Sequence, residues 1–190
     1  FPTNWEIAMP IDSTTTPSVI ADYRIVRLLA DGNHGKFYLA QAPARLGLQH
    51  SEVALKVFHN EITEDAYRRG VRELRAFAAV KSTRLVQIFD AVLDERFFYA
   101  MEYFPLGSLA SPTRDLSRTE SIQTLHDAAL AVHDLHEHGL VHGDVKPANI
   151  MFDGIGGKLS DLGLVRTLNS EATVTSFAPT MSVEFIDPEL

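Results

Sequence analysis

The sequence predicts an α+β protein: a small antiparallel sheet of five strands carrying one helix, joined to a mainly helical part rich in polar loops. Five strand-like segments fall between Tyr23 and Glu102, and one helical stretch follows the third of them. A second long helical stretch opens on Ser117-Arg118-Thr119-Glu120, a capping-box sequence. Beyond it the periodicity gives way to short polar segments, among them His142-Gly143-Asp144-Val145-Lys146-Pro147-Ala148-Asn149 and Asp161-Leu162-Gly163. The expected organisation is a leader or linker at 1–20, a sheet part with its connecting segment at 21–104, and a second part at 105–190.

Residues 1–20 carry Pro2, Pro10 and Pro17 and the run Ser13-Thr14-Thr15-Thr16, with little periodicity. Strand character begins at Tyr23–Leu29 and resumes at Lys36–Ala40, across Ala30-Asp31-Gly32-Asn33-His34-Gly35. The third strand, Glu52–Phe58, alternates: Ala54, Lys56 and Phe58 share one face, and Val53, Leu55 and Val57 the other. Thr63 suits a helix N-cap, with Glu64 and Asp65 in the first turn. The helix after it has a stripe at Ala66, Gly70, Glu73, Phe77 and Val80. A carboxylate inside a small and apolar stripe calls for a cation, because burying it unpaired is costly. Two more strands are expected near Leu85–Val92 and Phe97–Glu102. The helix capped by Ser117 and Glu120 is expected to bury Ile122, Leu125, Ala129, Val132 and Leu135, and Gly139 is placed to end it.

The formal net charge of −8 gives no support to nucleic-acid binding or to attraction by an anionic membrane. No apolar run approaches the ~20 residues that span a bilayer, so a cytoplasmic setting is the expectation for this stretch. With no cysteine there is neither a disulfide nor a thiol nucleophile. The chain starts at Phe1 and stops at Leu190 directly after a motif, which reads as a fragment. Its oligomeric state is not legible.

Several residue sets carry chemistry. The glycines of Gly32-Asn33-His34-Gly35 would let backbone N–H groups approach phosphates, but taken alone they are better explained as a plain hairpin turn. Lys56 interrupts an apolar strand; it either snorkels to solvent or meets phosphate oxygens and pairs with Glu73. Five histidines lie between His126 and His142, at spacings that match no standard zinc pattern. Asp144, Lys146 and Asn149 place a carboxylate, an amine and an amide on one loop, and Asp161 adds a second carboxylate. That set suits holding a phosphate chain through metal ions while accepting a proton from an attacking hydroxyl.

In this order the motifs resemble the protein-kinase catalytic domain, specifically the eukaryotic-like (Hanks-type) serine/threonine branch, over about Tyr23 to Leu190. The resemblance implies a bilobal fold, with an N-lobe at 21–104 including the hinge and a partial C-lobe at 105–190 whose later helices are missing. It implies ATP and Mg2+ as cofactors, and proteins bearing Ser or Thr hydroxyls as substrates. The Gly-rich loop falls on Ala30, Gly32 and Gly35, and Phe37 follows at the position that covers adenine. Lys56, in Val53-Ala54-Leu55-Lys56, is implied to hold the α/β-phosphates and to pair with Glu73. Ala54 lines the nucleotide pocket, Met101 resembles the gatekeeper, and Glu102-Tyr103-Phe104 the adenine-binding hinge. Asp144 matches the proton-accepting Asp, Lys146 the lysine that neutralises the γ-phosphate, and Asn149 and Asp161 the magnesium ligands. Ser182 and Glu189 fall on the activation segment, Ser182 supporting Asp144 and Lys146.

The chain departs from the family pattern at four positions. Gly143 replaces an arginine that often receives an activation-loop phosphate, which implies that the switch is dispensable here despite Thr167, Ser170, Thr173, Thr175, Ser176 and Thr180. Leu162 replaces a phenylalanine, Phe37 a smaller valine and Ala30 a glycine. Two other classes fit parts of the pattern: a small-molecule phosphotransferase of the aminoglycoside or choline kinase kind, and a pseudokinase that binds without transfer. Lys146-Pro147 and the Ser182–Glu189 segment argue against the first; the complete polar set argues against the second. A cut before the remaining helices implies exposed apolar surface and an unstable isolated fragment.

Overall fold

The computed structural model describes residues 17–32, 35–59, 64–94, 96–161 and 166–167, and of 64–67, 69, 70, 73, 166 and 167 the backbone alone. The expected leader (apart from residues 17–20), the Thr63 cap, Leu162, Ser182, Glu189 and the candidate hydroxyls from 168 onward lie outside the described residues.

Six strands form the first sheet, in the order β1 (Val19–Ile20), β2 (Tyr23–Gly32), β3 (Gly35–Gln41), β4 (Glu52–Phe58), β6 (Phe97–Glu102) and β5 (Ile88–Leu93), all antiparallel. Five are the expected strands. The sixth, β1, has two residues and folds back on the start of β2 through a tight turn. The expected Leu85–Val92 strand begins later, at Ile88. Leu85 instead bridges to Leu159, and Val86 N–H donates to Leu159 O at 3.0 Å while Leu159 N–H donates to Arg84 O at 2.8 Å. That segment stitches the sheet to the second part of the chain.

Alternation on β4 sorts the sheet into two apolar layers. Val53, Leu55 and Val57 join Tyr23, Tyr38, Ala40, Phe98 and Ala100 on one face. Ala54 joins Phe97, Tyr99, Met101 and Phe104 on the other, where Leu74, Phe77 and Val80 of α1 (Glu64–Ala78) and its following turn pack. The first face is covered by Ala42, Leu46 and Leu48, around a short 3-10 turn at Ala44–Leu46. Arg45 anchors this cover, donating to Asp22 (2.6 and 3.0 Å) and to Asp90 (2.6 Å), while the buried Tyr23 hydroxyl donates to Asp90 (2.7 Å). The Arg45 hydrogen bonds hold the Asp22 carboxyl below the usual carboxylate range.

After β6, β7 (Gly107–Ser108) and β8 (Ser111–Pro112) precede α2 (Arg118–Glu137). The capping box is formed as expected: Glu120 N–H donates to Ser117 Oγ at 3.2 Å and Ser117 N–H to Glu120 Oε2 at 2.8 Å. Gly139 follows in the left-handed region at φ 70°, where glycine is unstrained. Then come β9 (Leu140–Val141), the hairpin β10 (Ile150–Phe152) with β11 (Gly157–Leu159), and β12 (Arg166–Thr167), which pairs with β9.

The buried face of α2 differs from expectation. Thr124, Ala128, Ala131 and Leu135 are buried, whereas Ile122 and Leu125 are 55% and 51% exposed and Ala129 is also exposed. The reason is a close approach. A Cβ on Gly157 of β11 would sit 2.5 Å from Thr124 O and 2.9 Å from Thr124 Cγ2, so the helix meets the hairpin through its smallest side chains. Thr124 tolerates burial because its hydroxyl donates to Glu120 O at 2.7 Å. Spacing of large apolar residues misses this, since the contact selects for small ones.

Gly157→Ala is therefore expected to force α2 off the hairpin and to cost about 1–3 kcal/mol, read as a lower denaturation midpoint with secondary structure retained.

Candidate active site

Lys56 lies in the middle of β4, opposite Phe37 on β3 and Tyr99 on β6. It is 3% exposed, and a buried ammonium requires a counter-charge. The carboxylate of Asp161 supplies one, its Oδ1 pairing directly with Lys56 Nζ. Two rings flank the ammonium, Phe37 with its centroid 5.3 Å away and Phe58 at 5.4 Å. Phe58 is itself stacked on Phe97 at 5.2 Å. Asp161 holds φ 66°, a left-handed conformation that a non-glycine residue adopts at a cost. Glu73 falls on α1 as expected, and the position of its carboxylate lies outside the described side chains.

The second half of the site is the loop from His142 to Asn149. His142 is 1% exposed, and its Nε2 lies 2.9 Å from Ser160 O. A carbonyl only accepts, so Nε2 carries the hydrogen and Nδ1 is left to accept from Asp144 N–H, at 3.3 Å. Gly143 between them sits at φ 78°, which sets the sharp turn. Asp144 Oδ2 pairs with Lys146 Nζ at 2.7 Å. Asn149, at the end of the 3-10 turn Pro147–Asn149, donates from Nδ2 to Asp144 O (2.8 Å) and Asp144 Oδ2 (3.0 Å). Ser160 then ties the two loops together, donating from its N–H (2.8 Å) and its hydroxyl (3.0 Å) to Asn149 O. Asp161 is the next residue, so one serine sets the acidic turn beside the loop that carries Asp144.

The segment expected to be the hinge runs on from β6. Met101 is opposite Ala54, and both are buried in one cluster with Phe104, against which Phe37 packs. Glu102 forms a two-oxygen salt bridge with Lys158 on β11, at 2.7 and 2.9 Å, and Lys158 Nζ lies 5.7 Å from the Phe104 ring. Ala30 and Gly32 pair with Phe37 and Gly35 across the β2–β3 hairpin, whose tip, Asn33-His34, is outside the described residues. Gly35 is required sterically: a Cβ there would run into the Val57 carbonyl.

The structure thus brings Lys56, Phe37 and Asp161 together, and Asp144, Lys146 and Asn149 together, with Ser160 linking the sets. Ser160, Lys158 and Phe58 were not singled out from sequence. A serine before Asp161, a lysine two residues earlier and a phenylalanine in a strand carry no pattern of their own.

Asp161 and Asn149 offer oxygen donors of the kind a magnesium ion takes. Asn149 commits its NH2 to Asp144, which makes Oδ1 the atom with which it would ligate a cation.

Comparison with known proteins shows the family. The protein kinase domain family matches residues 23–190. The chain is similar to serine/threonine-protein kinase PknB of Mycobacterium tuberculosis (31% identical over 189 residues, 92% of this chain and 30% of the relative). It is similar also to serine/threonine-protein kinase PknJ of the same species (30% over 183 residues, 91% and 30%) and to human Rho-associated protein kinase 1 (29% over 173 residues, 89% and 13%). It spans less than a third of the length of each of these relatives. The chain belongs to the protein kinase family, as a catalytic domain of the Hanks serine/threonine type. Among the described residues no helix is long and apolar enough to cross a membrane.

Burial holds the His142 imidazole below the ordinary histidine range. The unfolded side chain takes up a proton as the pH falls through about 6.5 while the folded one resists, so its contribution to stability is full above that pH and is lost below it. The free energy of unfolding is expected to drop as the pH falls from about 6.5, by at most about 1.4 kcal/mol per pH unit from this group, read from denaturant titrations, and His142→Gln is expected to flatten that slope.

Proposed function

We propose that this chain is the catalytic part of an ATP- and magnesium-dependent protein kinase that phosphorylates serine and threonine hydroxyls. The observation that carries the reading is the meeting of the Lys56–Asp161 pair with the Asp144–Lys146–Asn149 loop through Ser160. One site then holds a cation for phosphate oxygens, oxygen donors for a metal, and a carboxylate placed to take a proton.

In this mechanism Lys56 holds the α/β-phosphates, with Glu73 as its further partner. Ala30, Gly32 and Gly35 carry the hairpin over the phosphates, and Phe37, Ala54, Met101, Glu102 and Phe104 receive the adenine. Asp144 orients the substrate hydroxyl and accepts its proton as the oxygen attacks the γ-phosphorus and the bond to the β-phosphate oxygen breaks. Lys146 offsets charge on the γ-phosphoryl oxygens. Asn149 and Asp161 would hold Mg2+, which neutralises the phosphate chain when bound. His142 keeps the Asp144 backbone in place from behind. The nucleotide would lie between an N-lobe at 21–104 and a C-lobe part beginning at 105. Preference for serine and threonine is supported by Lys146-Pro147, by Ser182 and by the names of two relatives.

The test is transfer from labelled ATP by the full-length protein, with protein and small-molecule acceptors offered together. Label on serine or threonine is expected, with Asp144→Asn reducing the rate by about 10²-fold or more, the lower end of what positioned acid–base groups contribute. Label on small molecules alone would instead identify a small-molecule phosphotransferase, and ATP binding without transfer a pseudokinase.

A further inference from the structure

Three residues beyond Lys56, His59 stands past the end of β4 and reaches over the sheet to the hairpin that carries Gly32 and Gly35. Its Nε2 lies 2.8 Å from Gly32 O and 3.3 Å from Asp31 Oδ1. Both neighbours are acceptors, so Nε2 carries a hydrogen whether or not the ring is charged. Between them runs β3: Gly32 pairs with Gly35, and Gly35 pairs with Phe58. The side chain and its hydrogen bond therefore link β4 to β2 past the end of β3. Gly35 makes the span short, because the absence of a side chain lets β3 lie directly on the Val57 and Phe58 backbone.

The second element is charge. Asp31 puts a carboxylate on a hairpin that would face a triphosphate, and like charges there repel. In the structure that carboxylate is engaged by His59 and by Lys36, whose Nζ lies 3.6 Å from Asp31 Oδ2. His59 thus touches both the backbone and the charge of the β2 arm. Lys56, the cation of β4 itself, is turned away from that arm to Asp161.

We propose that His59 is a positioning residue for nucleotide binding: it latches the β2 arm of the Gly-rich hairpin to the strand that carries Lys56, and occupies the Asp31 carboxylate that would otherwise repel the phosphates. The inference rests on reading the site as an ATP site. The latch acts on affinity for the nucleotide and not on the chemical step, because its contacts are with the hairpin and not with the loop that carries Asp144 and Lys146.

The experiment compares the full-length protein with His59→Ala and His59→Gln, measuring the KM for ATP, kcat at saturating ATP, and amide exchange of the peptide covering residues 31–36. For His59→Ala the KM is expected to rise about five- to tenfold, the worth of one ordinary hydrogen bond, with kcat within about twofold and exchange accelerated. The Gln amide can donate to Gly32 O, so His59→Gln is expected to recover most of the affinity and protection. An unchanged KM in His59→Ala overturns the positioning role, whatever the exchange shows. Equal rises in KM for Ala and Gln also overturn it, pointing to general disruption. If the wild type transfers no phosphate, the kinase reading fails by itself, and the latch is then decided by exchange: acceleration in Ala reversed in Gln supports it, and no difference refutes it.

Discussion

An ammonium buried in the middle of a sheet is unstable without a counter-charge, and at Lys56 a carboxylate from the second part of the chain is described in that role. The sheet supplies the lysine because β4 alternates strictly, with one face sealed by Tyr23, Leu55 and Phe98 and the other open toward α1 and the hinge. Asp161 comes from the turn after β11, more than a hundred residues later. The pair therefore joins the two parts of the chain, and its geometry depends on both being folded. Phe37 and Phe58 hem the ammonium from the sides. They limit where the flexible lysine stem can go, which matters more for positioning than the modest energy of each ring contact.

The rest of the site is built backward from that pair. Asp161 is set by Ser160, Ser160 is bonded to Asn149 and His142, and these in turn hold Asp144. Each link is a buried or half-buried polar group satisfied by another, so the loss of one leaves a partner unpaired in a low-dielectric setting. Such a network suits a site that must not rearrange when phosphate charge arrives. The Glu102–Lys158 bridge adds a third tie, from the hinge to the strand that ends one residue before Ser160.

Features governed by short-range pattern were legible in the sequence. The β4 alternation, the capping box at Ser117 and Glu120, the turn at Gly139 and the five main strands depend on neighbours along the chain and are found in the structure. Features that depend on distant surfaces were not legible. The buried face of α2 turned out to be Thr124, Ala128 and Ala131 because Gly157 comes close, and no spacing rule contains Gly157. Strand β5 starts at Ile88 because Leu85 and Val86 are taken up by Leu159. For the site, His142, Asp144, Lys146, Asn149 and Asp161 stood out by order and residue type. Ser160, which joins them, did not, since a lone serine is informative only once Asn149 O is known to lie opposite it.

If the Lys56–Asp161 pair is a shared device for one phosphate chain, a double-mutant cycle on nucleotide affinity tests it most directly. Binding of ATP in magnesium would be measured for the wild type, Lys56→Met, Asp161→Asn and the double variant. With both groups acting together on one nucleotide, the double variant loses less than the sum of the single losses, with a coupling of about 1 kcal/mol or more. Additive losses, or singles that bind as well as the wild type, would contradict the site as described.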